Sequence, residues 1–418
     1  MLSTLALAAL AVPLTTAASL NVTDPNGYIQ YTTITGYFLQ DDPSTNASTF
    51  NYTQSNFGLI NQTYPTTANL TNLTQWQAFE TQVNSLNANA PLNTVYKVLF
   101  MGRHGEGYHN AAESFYTTPN WNCYWAELTG NSTASWVDAQ LTSNGILQAQ
   151  IAHNFWLHEI STQKIPQPQS YYTSPLSRCL ATANITFSGI PTPEYYPFVP
   201  TVKELLREGI SIHTCDHRSN KTYIHDTYPG YAIEAGFNEY DELWNGVTAE
   251  PDSAHEYRML RLLDDVFTSD DHTWISFTSH SGTIATILDV IGHRTFSLAT
   301  GSVIPVLVKA EFLPSSSAPS TSIGSYTTST WCHNGPPISS VSSLAQGCVC
   351  SATTGPLPSL NTQAPFVPGQ TAPINEYTTT TTVVTSTSTA KGHHTTSHHG
   401  GPGGYPPWWG PRPTGWYM

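Results

Sequence analysis

The chain has 418 residues and a formal net charge of −14, and only 10% of its residues are charged, against about 25% in an average protein. This length exceeds that of one average domain, and the acidic charge excludes nucleic acid as a default partner. Solubility must therefore come from uncharged polar side chains and attached sugars.

Residues 1–18 have a short apolar core and end in small residues, which predicts a secretory signal peptide cleaved after Ala18. No Lys or Arg precedes this core, so a membrane anchor is the alternative. The apolar run is shorter than the roughly 20 residues that a spanning helix needs, and we expect no stable membrane span. The sequence therefore predicts a secreted protein, located outside the cell or in the cell wall.

Residues 19–93 are rich in Asn, Thr and Tyr and carry six Asn-x-Ser/Thr sequons, with three more downstream. The asparagines are Asn21, Asn46, Asn51, Asn61, Asn69, Asn72, Asn131, Asn184 and Asn220. Behind a signal peptide, such crowding predicts a glycoprotein with these asparagines on surface loops. Trp76, Phe79 and Val83 recur at helical spacing, so we expect an N-terminal extension that packs on the core.

A buried strand that ends in a polar turn is predicted at residues 95–110. The apolar, β-branched run that begins at Val95 suits a strand covered on both faces. Arg103-His104-Gly105-Glu106-Gly107-Tyr108-His109-Asn110 follows where that strand stops. Open α/β sheets bind ligands at the carboxyl ends of their strands, so Arg103 and His104 mark a candidate site. Taken alone, His104 would more simply be a surface or capping histidine.

Strand-like and helix-like runs alternate from residue 94 to residue 313, which predicts an α/β domain with a largely parallel sheet. Two packing helices are predicted by apolar residues on one face. Residues 144–158 stack Leu147, Ile151 and Phe155, and residues 254–267 align Met259, Leu263, Val266 and Phe267.

Two further polar segments follow strand-like runs. Thr173-Ser174-Pro175-Leu176-Ser177-Arg178 leads from a short strand into a helix, where the Arg178 guanidinium can bind a phosphate beside helix-terminal amides. Trp274-Ile275-Ser276-Phe277-Thr278-Ser279 runs into His280 and then a helix. The apolar face of that helix is Ile284, Ile287, Leu288 and Ile291. Arg178 and His280 are therefore expected at the same sheet edge as His104.

A carboxylate at the same edge is predicted in the segment that begins at Val202. Glu208 lies at an Arg-Glu-Gly junction where a strand gives way to a loop, and Glu204 is its rival. Arg207, Arg218 and Lys221 either widen the basic rim of the site or are simply exposed charges.

These four segments, in their order along the chain, resemble the Arg-His-Gly signature and later motifs of the histidine phosphatase superfamily. The residues of the first motif, from Arg103 to Asn110, are most similar to those of the superfamily's fungal and plant phosphoglycerate-mutase-like proteins. The resemblance covers roughly the middle half of the chain, from Val95 to Ile291, and leaves out the extension and the tail. It implies a three-layer sandwich in which a mostly parallel central sheet has helices on both faces.

The resemblance also implies a role for each motif residue. His104 attacks phosphorus and becomes a phosphohistidine, Glu208 protonates the leaving oxygen, and His280 is the second catalytic histidine. The phosphate-binding residues would be Arg103, Arg178, His280 and Asn110. Because this scheme needs a protonated carboxyl and a neutral histidine together, we expect a mildly acidic pH optimum. No cofactor is expected, and no metal, since no second cluster of carboxylates or cysteines has ligand spacing.

A small phosphorylated substrate is expected, and its hydrolysis is favoured over mutase chemistry because a secreted protein meets few phosphoglycerates and no priming bisphosphate. The secreted acid phosphatases of the superfamily carry Arg-His-Gly-x-Arg-x-Pro and a later His-Asp pair, whereas Glu106 follows Gly105 here and Ser281 follows His280. Two alternatives stay open: a phosphoglycerate-mutase-type phosphotransferase, and a non-catalytic cell-surface binding protein that keeps the fold.

Residues 314–418 are rich in Ser, Thr, Pro and Gly, which predicts a disordered, O-glycosylated tail that could associate with the cell wall. Its histidines could bind a transition metal, but a solvated tail is the simpler interpretation; they are His393, His394, His398 and His399. Six cysteines fit an oxidising compartment but allow fifteen pairings. A small loop closed among Cys332, Cys348 and Cys350 is one option.

Overall fold

The computed structural model describes residues 20, 27–68, 70–314, 322–337 and 348–350. The predicted signal peptide, the sequons at Asn21 and Asn69, and the four tail histidines lie outside the described residues. Within the described ranges, none of the helices combines the length and the apolar character needed to cross a membrane.

A mostly parallel sheet forms the centre of the described chain. Its strands are β1 (Tyr28–Thr33), β2 (Thr94–Arg103), β3 (Ser170–Thr173), β4 (Thr201–Val202), β5 (Ala232–Ile233), β7 (Trp274–Ser279) and β8 (Val303–Leu313), while β6 (Thr248–Ala249) and β9 (Thr327–Thr328) pair separately. The strand order is β1-β8-β2-β7-β3-β4-β5. Parallel pairing joins β2 to β7, β7 to β3, β3 to β4 and β4 to β5, whereas β8 is antiparallel to both β1 and β2. The predicted sheet type is confirmed.

Helices cover both faces of this sheet, as predicted. They are α1 (Gln75–Ala88), α2 (Tyr108–Tyr116), α3 (Thr118–Cys123), α4 (Ser143–Thr162), α5 (Ser177–Phe187), α6 (Lys221–Thr227), α7 (Asp252–Ser269) and α8 (Ser281–Val290). Side chains of β2 alternate between the faces, because successive residues of a strand point to opposite sides. Leu99 and Met101 share a core with α7 and α8, and Val98 and Phe100 share the other core with α1 and α4.

The predicted apolar face of α7 is confirmed, since Met259, Leu263, Val266 and Phe267 are all fully buried. The predicted face of α4 is wrong at Leu147 and Ile151 and right at Phe155. Leu147 and Ile151 are 53% and 46% exposed, and the buried side of α4 carries Gly145, Ala149, Ala152, Phe155 and Trp156. Small residues allow α4 to approach the turn after β2 closely, so the helix turns its glycine and alanines inward instead of its two branched residues.

The N-terminal extension packs on the core, and it also contributes a strand. β1 lies at the sheet edge beside β8, with Tyr28 opposite Leu313. Trp76, Phe79 and Val83 are fully buried and belong to one aromatic core with Phe57 and Phe100. α1 begins at a capping box in which Thr74 accepts the Gln77 N–H. The extension is therefore part of the core of the α/β domain.

The sequon asparagines that the structure describes lie at the surface or are half-buried, and none of them is buried. Asn46, Asn61, Asn72 and Asn184 are exposed, and Asn51, Asn131 and Asn220 are half-buried. Several use their side-chain oxygen to accept a nearby backbone N–H, as Asn220 does at the start of α6. These positions are compatible with the predicted glycosylation.

Part of the segment predicted as tail is attached to the domain. Cys123 at the end of α3 forms a disulfide with Cys348, and Cys332 forms a second one with Cys350. β9 pairs with β6, which lies just before α7. Residues 322–337 and 348–350 therefore differ from the expected disordered tail, because two covalent links and a strand pair hold them.

Candidate active site

The two motif histidines follow neighbouring parallel strands. Arg103, the last residue of β2, lies opposite Ser279, the last residue of β7. The next residues along each strand are His104 and His280, and the His104 N–H donates to the Ser279 carbonyl at 2.9 Å. Their ring centroids are 5.1 Å apart and both side chains are buried. The sequence prediction that these residues meet at one sheet edge matches this geometry.

One hydrogen bond sets the tautomer of His104. Its Nδ1 lies 2.7 Å from the carbonyl oxygen of Gly105. A carbonyl oxygen only accepts, so Nδ1 carries the proton, and in the neutral ring Nε2 holds a free lone pair. His104 therefore has the form that a nitrogen nucleophile needs.

Arg178 lies in the first turn of α5, which Asp138 anchors by accepting the N–H and the hydroxyl of Ser177 at 2.7 Å each. The Arg178 Nε donates to Nδ1 of His280 at 3.3 Å, and its Nη1 donates to the Cys215 carbonyl at 2.8 Å. The guanidinium is almost completely buried. Its position is therefore fixed from three separate segments of the chain.

Both ring nitrogens of His280 have protein partners. Nδ1 accepts from Arg178, so the proton of the neutral ring is on Nε2, which donates to the Ser174 hydroxyl oxygen at 2.7 Å. The Cys179 sulfur lies 3.3 Å from the same nitrogen. His280 thus joins Arg178 to the Ser-Pro-Leu turn, and a bond from it to a phosphate requires exchange of one of these partners.

Arg103 points a second guanidinium into the site. Its Nη1 donates to the Leu298 carbonyl at 2.7 Å, whereas its buried Nε has no hydrogen-bond partner among the described residues. A buried donor without a partner is costly, and an anion next to Arg103 would supply the missing acceptor.

The electrostatics of the site favour neutral imidazoles beside cations. Burial, and then the Arg178 and Arg103 charges, hold the pKa of His104 well below its usual range. Burial followed by Arg178 and His104 lowers the pKa of His280 in the same way. A neutral nucleophile next to two guanidinium groups is an arrangement that can bind a phosphate dianion and accept its phosphoryl group.

Glu208 caps the helix that follows His280. Its Oε1 accepts the N–H groups of Gly209 and Thr283 at 3.0 Å each, and Oε2 accepts that of Gly282 at 3.3 Å. The side chain is half-buried, and it lies close enough to Arg103 to oppose the lowering of the Arg103 pKa by burial. Glu208 is therefore the motif carboxylate that borders the site.

The rival carboxylate, Glu204, is occupied elsewhere. It accepts from Nε of Arg218 at 2.8 Å and from Nη1 of Arg207 at 3.0 Å. Arg207 and Arg218 are completely or nearly completely buried, and Arg207 also pairs with Asp241 at 2.6 Å. Both predicted roles of these two arginines, a basic rim and exposed charges, are wrong, because the arginines are buried and the Glu204 and Asp241 carboxylates pair with them.

Lys221, the third of these cations, is half-buried at the start of α6. Its Nζ donates to the Phe237 carbonyl at 3.3 Å.

Asn110 has a structural bond in addition to its predicted phosphate contact. Its Oδ1 accepts the Gly107 N–H at 3.0 Å, which caps the first turn of α2. Its amide nitrogen is the group left to contact a phosphate.

His109 is a site residue that the sequence argument did not single out. It is buried, and its ring centroid lies 5.4 Å from that of His104. Its Nδ1 has no hydrogen-bond partner in the described part of the chain. Burial and then Arg178 lower its pKa. The signal was available, because His109 falls at the start of α2, one turn beyond the Arg103-His104 pair.

Two groups of side chains in the described residues have the composition of a metal site. One is His213, Cys215 and Asp216, and the other is Asp270, Asp271 and His272. Asp270 already accepts the Tyr172 hydroxyl and the His272 N–H. Neither group includes His104 or His280.

The chain is similar to a known protein family, to named fungal proteins and to solved structures. A family model described as histidine phosphatase superfamily (branch 1) matches residues 123–300, a range that contains Arg178, Glu208 and His280 and begins after His104. A probable phosphoglycerate mutase of Arthroderma benhamiae is 51% identical over 287 residues, which cover 68% of this chain and 85% of the relative. Phosphomutase-like protein 3 of Candida albicans is 38% identical over 283 residues, which cover 68% and 81%. The crystal structure of phosphoglycerate mutase from Thermus thermophilus aligns with a TM-score of 0.27 and 17% identity, covering 50% of this chain and 91% of that one.

Proposed function

Because the chain belongs to the histidine phosphatase superfamily, we propose that it is a secreted phosphatase that hydrolyses small phosphate monoesters through a phosphohistidine on His104. The observation that carries the proposal is the His104 tautomer. Gly105 holds the proton on Nδ1, so the lone pair on Nε2 is available beside Arg103 and Arg178. An unprotonated ring nitrogen beside two cations is the form in which an imidazole attacks phosphorus.

In the first step, Nε2 of His104 forms a bond to phosphorus and the ester P–O bond breaks. Glu208 gives its proton to the departing oxygen, and the two arginines stabilise the charge on the phosphoryl oxygens. In the second step, a water molecule attacks phosphorus, the P–N bond breaks, and Glu208 takes a proton from the water. The products are the alcohol and inorganic phosphate.

Phosphoryl transfer between phosphoglycerates is the second candidate, because the Arthroderma benhamiae relative is named a probable phosphoglycerate mutase. Hydrolysis is preferred on the argument from compartment, and several features support secretion. They are the apolar segment at residues 1–18, the sequon asparagines outside the core, and the two disulfides. We propose attachment to the cell wall through residues 351–418 on composition alone.

The test is phosphate release from p-nitrophenyl phosphate at pH 5 by the full secreted chain, with and without a metal chelator, beside H104A. We expect activity that survives chelation and falls by about a thousandfold or more in H104A. A matched control is H225A, since His225 is an exposed histidine beside Asp226.

The same preparations incubated with 2- and 3-phosphoglycerate separate the candidates. Release of inorganic phosphate supports hydrolysis, and interconversion without release would identify a mutase. An inactive wild-type protein across a panel of phosphorylated metabolites would favour the binding-protein alternative.

A further inference from the structure

A cluster of metal-ligand side chains lies behind Arg178, outside the groups that take part in the proposed reaction. A ring nitrogen of His213, the Cys215 sulfur and a carboxylate oxygen of Asp216 all lie within 4.8 Å of one another. Glu127 adds an oxygen 3.9 Å from Nε2 of His213. We propose that these four residues form a binding site for a soft divalent metal ion, best matched by Zn²⁺, and that its occupation inhibits the enzyme.

The donor set selects the kind of ion. A thiol sulfur, an imidazole nitrogen and carboxylate oxygens are the ligands of Zn²⁺ in proteins, whereas Mg²⁺ and Ca²⁺ prefer oxygen alone. Cys215 is chemically available because it is one of two free cysteines, the other being Cys179, and the remaining four form disulfides. Coordination forms the metal–sulfur bond and releases the thiol proton to solvent.

The donor atoms have few competing bonds within the described chain. Glu127 Oε1 is buried and has no hydrogen-bond partner there. The His213 ring makes no hydrogen bond with a described residue and is 19% exposed, which gives an ion a path of entry. Asp216 accepts the Ser211 hydroxyl through Oδ2 at 2.6 Å, so its Oδ1 faces the cluster. A bound cation would satisfy the orphaned Glu127 oxygen.

Two residues of the cluster, Asp216 and Cys215, contact Arg178 of the candidate active site directly. Asp216 Oδ1 lies 3.8 Å from Nη2 of Arg178, and the Cys215 carbonyl accepts from Nη1 of the same arginine at 2.8 Å. An ion held by Asp216 and Cys215 brings positive charge beside this guanidinium and pulls on the segment that holds it. Inhibition follows if Arg178 binds phosphate, so this consequence rests on the proposed function. The ion takes no part in hydrolysis.

The binding test uses Co²⁺ as a probe on the full chain with its disulfides intact. Thiolate ligation gives Co²⁺ a sulfur-to-metal charge-transfer absorption, which histidines of the C-terminal residues cannot produce. We expect this band at one equivalent of Co²⁺, its loss on addition of Zn²⁺, its absence in C215S, and at least tenfold weaker Co²⁺ binding in H213A. C179S, which removes the other free thiol, and H225A should keep the band. Its absence from the wild type, or its persistence in C215S, would overturn the site.

The inhibition test follows p-nitrophenyl phosphate hydrolysis with added Zn²⁺, each variant being compared with its own metal-free rate. We expect at least tenfold inhibition of the wild type and less than twofold inhibition of C215S. Equal inhibition of both would overturn the inhibitory role. A protein that shows the Co²⁺ band but never releases phosphate would refute the proposed function and leave the metal site standing.

Discussion

A Cβ atom on Gly282 would lie 2.4 Å from Oε1 of Glu208. This helix position therefore has to be glycine for the carboxylate to reach the Gly282 and Thr283 N–H groups. Only the far end of a flexible side chain is in the way, so an alanine would displace Glu208 without moving the backbone.

We expect G282A to lose activity without losing stability. Displacement of Glu208 should lower kcat for an alkyl phosphate by about tenfold or more. Replacing a helical glycine by alanine adds up to about 1 kcal/mol to the free energy of unfolding, which offsets the roughly 1 kcal/mol lost with the Glu208 cap of α8. Steady-state kinetics and urea unfolding measure the two effects. G230A is the control, since a Cβ on Gly230 meets nothing within 4 Å. Equal losses of activity in both variants would contradict the explanation.

E208Q should show a leaving-group dependence. If Glu208 protonates the departing oxygen, the variant loses about 10²- to 10⁴-fold in kcat/KM on an alkyl phosphate. The loss should be much smaller for p-nitrophenyl phosphate, because p-nitrophenolate leaves without a proton. The comparison uses kcat/KM, which reports the steps up to P–O cleavage, because Glu208 also takes a proton from water in the second step with either substrate. A loss of the same size on both would refute the proton-donor role.

The buried histidines should make the fold sensitive to acid. Burial and the neighbouring Arg178 lower the pKa of His104, His109 and His280 well below 6.5, so the native protein keeps all three neutral. The unfolded chain protonates each at about pH 6.5. Their contribution to stability is therefore complete above pH 6.5 and is lost as the pH falls towards the folded-state values, by about 1.4 kcal/mol per pH unit for each histidine.

H109Q should consequently make the pH dependence of stability shallower by about 1.4 kcal/mol per pH unit between pH 6 and pH 5. Urea unfolding at pH 7, 6 and 5 measures this slope. H158A removes an exposed histidine and serves as the control. A slope in H109Q that matches the wild type would show that His109 is protonated in the native protein.

The two disulfides should contribute unequally to stability. They join residues 225 and 18 positions apart. By the chain-entropy argument, C123S/C348S should lower the free energy of unfolding by about 5 kcal/mol and C332S/C350S by about 3 kcal/mol. Urea unfolding of the two double variants gives both values. A larger loss in C332S/C350S would reverse the expected order.

The sequence predicted the parts of the site that depend on strand ends. Arg103, His104 and His280 each come at or directly after the end of an apolar run, and parallel pairing alone brings such positions together. Arg178 was predictable for a related reason, because the Ser-Pro-Leu turn starts α5. The apolar faces of α7 and α8 were also visible, since their periodicity is regular and both helices pack on one side only.

The contacts that decide chemical roles were not predictable, because their partners come from remote segments. Arg207 pairs with Asp241, which lies 34 positions away, and nothing in the local sequence separates a buried pair from an exposed charge. The predicted α4 face was wrong at Leu147 and Ile151 for a similar reason. The close approach of Gly145 to Glu106, where an added Cβ would lie 2.1 Å from a backbone oxygen, fixes which side of that helix faces inward.

The pairing of β1 with β8 has a consequence for the biogenesis of the protein. Tyr28 lies opposite Leu313, and β8 is inserted between β1 and β2. During synthesis β1 therefore has no strand to pair with until β8 has been made. Until then β2 also lacks its β8 neighbour and keeps one edge unpaired. Cys348 is synthesised after β8, so Cys123 stays without its disulfide partner for longer still. Such long-range closure slows folding and exposes unpaired strand edges. Yield from a heterologous host should accordingly depend on chaperones and disulfide isomerases that act after translation is nearly complete.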